Sequence, residues 1–205
     1  MSDHRFFETA YERGAHPPWD IGRPQAALVE AARRGWAQGA VLDVGCGTGE
    51  NALFLAASGH DVLGVDIAPA AVERATAKAA ARGLGEAAQF LVADVLGHPP
   101  ALAGRTFGTV VDMGFFHTLD DAERLDWRRV LHDLLVPGGA YLMMCFSDLV
   151  PGSQGPRRIS EAEIRDTFSA DAGFHVADLE RSEIESQRGA AGAAIPAWLA
   201  RIERG

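Results

Sequence analysis

This 205-residue chain contains no apolar run of the ~18 or more residues that a membrane-spanning helix needs, so no membrane partner is expected. Its amino-terminal residues lack a basic start followed by an apolar core, and no secretory signal is expected either. It has two cysteines, Cys46 and Cys145, both at strand ends or glycine turns, which favours reduced thiols in a cytoplasmic protein. It has one lysine, Lys78; all the other basic side chains are arginine, a bias better read as a GC-rich genome than as a binding surface. Acids outnumber bases 28 to 19, and the resulting charge of -9 argues against nucleic acid as a partner. His4, His16, His60, His98, His132 and His175 show no metal-ligand spacing with one another or with the cysteines, so no metal is indicated.

What is present begins with Val41-Leu42-Asp43-Val44-Gly45-Cys46-Gly47-Thr48-Gly49, a short apolar run carrying an acid and breaking into three alternating glycines. An amphipathic segment, Glu50 to Ser58, follows, and a second apolar run ends in Asp66. That order reads as strand, glycine turn, helix, strand and acid, a nucleotide-type site at the carboxyl edge of a parallel sheet. A dinucleotide fingerprint is spaced G-x-G-x-x-G and offers its helix N-terminus to a pyrophosphate. Here the spacing is G-x-G-x-G with Asp43 before it. A carboxylate there repels phosphate and suits an ammonium, so the expected ligand carries a ribose and a cationic amine. S-adenosylmethionine fits that description.

Five segments in register then resemble the class I S-adenosylmethionine-dependent methyltransferases: the glycine motif at 41–49, Gly64-Val65-Asp66, Val92-Ala93-Asp94-Val95, Phe107-Gly108-Thr109-Val110-Val111-Asp112, and Leu135-Val136-Pro137-Gly138-Gly139. The resemblance implies a doubly wound, mostly parallel α/β sheet, Rossmann-like and seven-stranded, with an antiparallel edge hairpin. It implies S-adenosylmethionine as cofactor and S-adenosylhomocysteine as product. By the same resemblance Asp43, Gly45, Cys46, Gly47 and Gly49 shape the methionine end, Cys46 through its backbone, and Asp66 holds the ribose with Ile67 against the adenine. Asp94 and Val95 finish the adenine pocket, and the Met113 backbone completes the methionine side. Asp94 is also placed to cap a turn.

The rest of the chain reads as a single domain, 1–205. A helix is expected from Pro24 to about Trp36, another from Pro69 to Gly83, a strand at Gln89 to Val92, and a helix capped by Asp120-Asp121. Ala140 to Phe146 suits a central strand, and Ser160 with Glu163 has capping-box spacing. Phe174 to Leu179 and Ala197 to Ile202 are the expected edge strands, the second half-exposed because Trp198, Ala200 and Ile202 alternate with Arg201. Gly189 to Ala194 between them reads as a loose loop.

The segment Pro17-Pro18-Trp19-Asp20-Ile21-Gly22-Arg23-Pro24-Gln25 is too rich in proline and tryptophan for an ordinary helix lead-in. It resembles the lid of a narrower group, the thiopurine, thiol, halide and tellurite methyltransferases together with actinobacterial enzymes that methylate heterocyclic toxins. Residues 1–25 are thus the expected lid, with Trp19 covering the donor and Phe6, Phe7 and Tyr11 closing over a flat acceptor; the plainer reading is that these aromatics cover the sheet. Phe115 and Phe116 are further candidate acceptor contacts. His117, just past the fourth strand, is the candidate catalytic base or else a structural histidine. The function expected is methyl transfer to a small molecule, first a heteroaromatic oxygen or nitrogen. A thiol, halide or tellurite acceptor is the alternative. A nicotinamide-dependent oxidoreductase and a non-catalytic S-adenosylmethionine sensor stand as rivals.

Overall fold

The computed structural model describes residues 4–187 and 194–205. In chain order the elements are α1 His4–Thr9, α2 Ala26–Arg33, β1 Val41–Val44, α3 Glu50–Ala57, β2 Val62–Asp66, α4 Pro69–Ala81 and β3 Ala88–Val92. Then follow β4 Phe107–Met113, α5 Asp121–Leu134, β5 Leu135–Phe146, α6 Glu161–Thr167, β6 Phe174–Ile184 and β7 Ile195–Arg204. The seven strands make one sheet in the order β3-β2-β1-β4-β5-β7-β6. The first five are parallel, and β7 and β6 run antiparallel at one edge, which is the architecture expected. No helix among the described residues is long and apolar enough to cross a membrane.

Strand periodicity divides the buried side chains between two cores. On one face Leu42, Val44, Val110 and Tyr141 pack with Trp127 and Leu131 of α5 and Ile164 of α6. On the other, Val41, Val111, Leu142 and Met144 pack with Leu28 of α2 and Leu53 and Leu55 of α3. Burial of one such side chain contributes about 1.5–3 kcal/mol, so both faces must be covered for the sheet to stand. The chain therefore goes from β1 to a helix on one face and from β4 to a helix on the other. A crevice opens where those neighbouring strands diverge, at their carboxyl ends.

Helix ends follow their local signals. Pro69 opens α4, and Gly83, with φ +68°, takes the left-handed turn after it. Asp120 and Ser160 each form a complete capping box, with Glu123 and Glu163. α2 is shorter than its pattern predicts: Gln25 is still extended at the start, and Gly35 turns left-handed at φ +74° just past the end. β7 is also a correction. It lies between β5 and β6 with Trp198, Ala200 and Ile202 in one core and Ala197 and Leu199 in the other, so it is covered on both faces. The expected loop at Gly189 to Ala194 lies, apart from Ala194, outside the described residues.

Candidate active site

The glycine turn between β1 and α3 holds Gly45, Gly47 and Gly49 at φ +63°, +54° and +84°. Gly49 has no room for a side chain, because a Cβ would sit 2.8 Å from both the Ala75 Cβ and the Phe90 ring. At Gly47 a Cβ would lie 2.9 Å from the Tyr11 hydroxyl. The turn is pinned from β2: Asp66 Oδ2 accepts the Gly47 N–H at 2.7 Å and Oδ1 accepts the Ala68 N–H at 2.8 Å. Burial raises the Asp66 carboxyl pKa while these backbone donors oppose the shift.

Asp43 sits behind the turn, 1% exposed, with Oδ2 unpartnered among the described residues. Burial first, then repulsion from Asp112 and Asp66, pushes its pKa up to about 8. A protonated or cation-paired carboxyl is what such a place tolerates. Cys46 is buried between the glycines, its thiol pKa pushed well up by burial, which leaves it inert as a nucleophile. No group of three His, Cys, Asp or Glu side chains that could hold a metal occurs among the described residues.

The crevice above the turn is a cavity of about 1120 Å³. Of the residues expected at the cofactor site, Trp19, Gly45, Cys46, Gly47, Gly49, Asp66, Ile67, Asp94, Val95 and Met113 line it, and Asp43 does not. Asp94 also caps the turn that follows it, its Oδ1 accepting the Leu96 N–H, so both readings of this residue meet in one side chain. Phe7, Tyr11, Phe115 and His117 line the cavity as well. Phe116 does not: it is 1% exposed and packs against Phe168 beneath the Arg124 guanidinium, so its expected acceptor contact is replaced by a core role. Consecutive residues of a tight turn face different ways, and here the cavity takes Phe115 and the core takes Phe116.

The amino-terminal segment is fastened over this crevice. Trp19 donates its indole N–H to the Tyr11 hydroxyl at 2.7 Å, and Phe6 and Phe7 pack tilted against Trp19 with centroids 6.0 Å away. Tyr11 packs on Ala68 and Ala71, sits over Gly47 and meets the Trp19 ring edge-on with centroids 6.4 Å apart, so it joins the aromatic group to the glycine turn. Arg74 of α4 donates to the Tyr11 and Ala15 carbonyls. Asp20 accepts from the Thr48 hydroxyl, which accepts from Lys78, and Lys78 and Arg82 hold Glu50. From the far edge, Arg23 forks onto Glu185, and Gln25 exchanges two hydrogen bonds with the Glu185 backbone. None of these tethers was read from the sequence. The one available signal was that the sole lysine falls on the face of α4 nearest the glycine helix.

The wall after β4 is organised by a residue that sequence reasoning passed over. Asp112 is fully buried and accepts from the N–H groups of Gly114, Phe115 and Phe116 and from the Tyr141 hydroxyl at 2.5 Å. Trp127 in turn donates to Tyr141. Burial raises the Asp112 pKa to about 6 against those donors. The acid ending an apolar strand was visible, as Asp43 was, but its partners come from other elements. The loop it holds ends in His117, whose Nδ1 accepts the Phe146 N–H at 2.9 Å. Burial, with Arg124 adding to it, lowers the imidazole pKa to about 3. A further wall, at 150–158, is braced by Arg158, which donates to the carbonyls of Val150, Pro151, Gln154 and Pro156.

A family model described as a methyltransferase domain matches residues 41–139. A 2-heptyl-1-hydroxyquinolin-4(1H)-one methyltransferase of Mycobacteroides abscessus is 36% identical over 171 residues, covering 80% of this chain and 74% of that protein. The chain belongs to the S-adenosylmethionine-dependent methyltransferases. The methyltransferase also aligns with a probable thiol methyltransferase 2 of Arabidopsis thaliana at 32% identity, over 68% of this chain and 61% of that one. A solved structure concerned with the conversion of a disulfide bond into a thioacetal group during echinomycin biosynthesis is similar to it throughout. That structure gives a TM-score of 0.84 at 33% identity, over 98% of this chain and 92% of the other.

S-adenosylmethionine is the cofactor of this methyltransferase. Two features of the chain fit it. The glycine turn presents backbone where a Cβ would collide, and the orphaned Asp43 oxygen behind it lacks a cation. The nicotinamide and sensor alternatives give way to an enzyme of methyl transfer.

Proposed function

We propose that the enzyme methylates a small heteroaromatic molecule at a hydroxyl oxygen or ring nitrogen, in the cavity half bounded by Phe7, Trp19, Phe115, Phe146 and the 150–158 wall. One observation carries this reading: Phe7, Trp19, Phe115 and Phe146 line the cavity together with the glycine turn, and the amino-terminal segment over it is tethered by Arg74 at Tyr11 and Ala15 and by Glu185 at Arg23 and Gln25. A flat ring stacks well in such a slot. The hydroxyquinolone relative supports the same acceptor class.

In this reading Asp66 accepts the ribose hydroxyls. Its two oxygens, which take the Gly47 and Ala68 N–H groups, have about four lone-pair sites between them and so retain accepting capacity. Ile67, Asp94 and Val95 form the adenine wall. Asp43 supplies charge opposite the methionine ammonium through the glycine turn, and the Met113 backbone closes that end. Residues 1–25 act as the lid, with Trp19 over the donor and Tyr11 seating the lid on Gly47. When bound, S-adenosylmethionine supplies a methyl group activated by the sulfonium it leaves. The protein's contribution is then alignment and water exclusion, and positioning alone is worth roughly 7–11 kcal/mol of the barrier.

His117 acts here as a donor. Its Nδ1 is occupied as an acceptor, so the neutral ring carries its proton on Nε2, and burial opposes a second proton. That geometry opposes the catalytic-base reading. A thiol acceptor is the second reading, favoured by the Arabidopsis relative. Calorimetric titration with S-adenosylhomocysteine, followed by mass spectrometry of reactions with a panel of hydroxyquinolones, phenols, thiols and iodide, tests both. Methylated quinolone is the expected product; a methylated thiol alone selects the second reading, and no binding overturns the cofactor site. In Asp66→Ala, S-adenosylhomocysteine binding is expected to be lost.

A further inference from the structure

Resting on the heteroaromatic reading, we propose that the acceptor binds as its anion, an acidic ring hydroxyl ionised in solvent, with His117 Nε2–H donating to its oxygen. The argument begins with hydrogen-bond direction. The Phe146 N–H can only donate, so the Nδ1 it meets at 2.9 Å is the lone-pair nitrogen. The proton of the neutral imidazole is then on Nε2, which has no partner among the described residues. Nε2 lies where Gly114 has no side chain: a Cβ there would sit 3.6 Å from it. The Phe146 ring, 4.5 Å from the imidazole centroid, fixes its plane from the other side.

A donor that cannot become an acceptor selects against a protonated hydroxyl, whose own proton would have to go elsewhere. The charged groups around it offer no substitute. Arg157 donates its backbone N–H to the His117 carbonyl, and its guanidinium holds Asp121 and Glu163. Asp120 caps α5, and the Glu123 N–H it accepts, as the largest cause, holds its carboxyl below the usual range. Arg124 lies close enough to oppose protonation of the imidazole. Arg158, on the cavity wall, satisfies its donors on four carbonyls and has no carboxylate partner among the described residues. The balance closes without a base. The acceptor leaves its proton in solvent, its oxygen forms the new bond to the methyl carbon, and the carbon–sulfur pair stays on sulfur. A cation and an anion yield two neutral products, and no proton is left for the protein to take.

The test uses the full chain saturated with S-adenosylhomocysteine and 1-hydroxyquinolin-4(1H)-one as an ultraviolet-absorbing probe, so that no turnover is required. The absorbance of the bound probe is titrated against pH. The expected result is an ionisation midpoint lower than that of the free probe by about one pH unit, the size of a hydrogen bond to a charged group. His117→Leu returns the midpoint to the free value, and His117→Gln, which keeps a donor, holds it low. A bound midpoint at or above the free one overturns the proposal. So does a low midpoint that His117→Leu leaves unchanged. If His117→Leu fails to fold, the pH midpoint of kcat/KM for two hydroxyquinolones of different acidity decides. Midpoints that follow each acceptor support anion binding, and one fixed midpoint overturns it. Failure of the probe to bind while S-adenosylhomocysteine binds overturns the heteroaromatic reading itself.

Discussion

The two halves of the crevice are built in different ways. The half at β1 and β2 is mostly backbone: three left-handed glycines, a carboxylate holding the turn, and small side chains beneath it. Nearly all of it comes from residues 43–67, within one strand–helix–strand unit. The other half is mostly side chains, drawn from residues 7–19, 113–121, 146–158 and 195–196. The first kind of site tolerates almost no substitution, because its tightest contacts are between atoms that cannot move aside. The second tolerates change residue by residue, which lets one fold serve many acceptors while keeping one donor.

Phe116→Ala should have the largest effect, and on stability alone. Removing this buried ring lowers the unfolding free energy by about 3–5 kcal/mol in urea titration. The acceptor KM of the folded fraction stays within about twofold, the uncertainty of the assay, whereas Phe115→Ala raises it. A raised KM for Phe116→Ala would put both phenylalanines in the acceptor half.

Gly49→Ala comes next. The new Cβ meets Ala75 and Phe90 at 2.8 Å with φ at +84°, so a loss of about 2–4 kcal/mol is expected from overpacking and left-handed strain. Near-normal stability would mean the turn yields, and the contrast between rigid and adaptable halves would fail.

Asp43→Asn sharpens the electrostatic side of the comparison. With no cation beside it the Asp43 carboxyl, pushed up to about 8, holds a proton at pH 7. A bound ammonium favours the ionised form, so binding releases that proton. Affinity for S-adenosylhomocysteine should therefore rise with pH, about tenfold per unit below pH 8, and level off above it. In Asp43→Asn the slope should vanish, together with any dependence of the calorimetric heat on the buffer. A wild-type affinity flat from pH 6 to 8 would remove Asp43 from the cofactor site.

Trp19→Phe is expected to be the mildest. It keeps the tilted ring contacts with Phe6 and Phe7 but loses the bond to Tyr11, a loss of about 1 kcal/mol. S-adenosylhomocysteine should bind roughly fivefold more weakly, the equivalent of that loss. Unchanged binding would leave Trp19 an acceptor contact only.

The strand–turn–helix–strand unit and its glycine side were legible because each is signalled by residues close together in sequence. Asp43, the glycines and Asp66 fall at fixed offsets, and the Ser160–Glu163 capping box and the acidic cap at Asp120 could be read from local spacing. The misreadings fall where a residue's partner is distant. Phe115 and Phe116 are equivalent in sequence, and partners from other elements separate them: Phe168 and Arg124 hold Phe116, whereas Phe115 meets Trp127 and the cavity. β7 alternates like a half-exposed strand, yet β6 and both helical layers cover it. His117 stood open between a base and a structural histidine because its surroundings were invisible. A backbone N–H 29 residues away fixes its tautomer.

By itself the sequence determined the donor: a doubly wound sheet, a glycine turn and two acids that suit a ribose with an ammonium. That information is local, since strand, turn and helix are set by sterics and periodicity within a few residues. Only the tertiary structure decided how the side-chain half of the crevice is built. Which aromatic ring faces the cavity, which nitrogen of His117 carries the proton and what fastens the amino-terminal segment all depend on contacts between segments that meet only when both cores have formed.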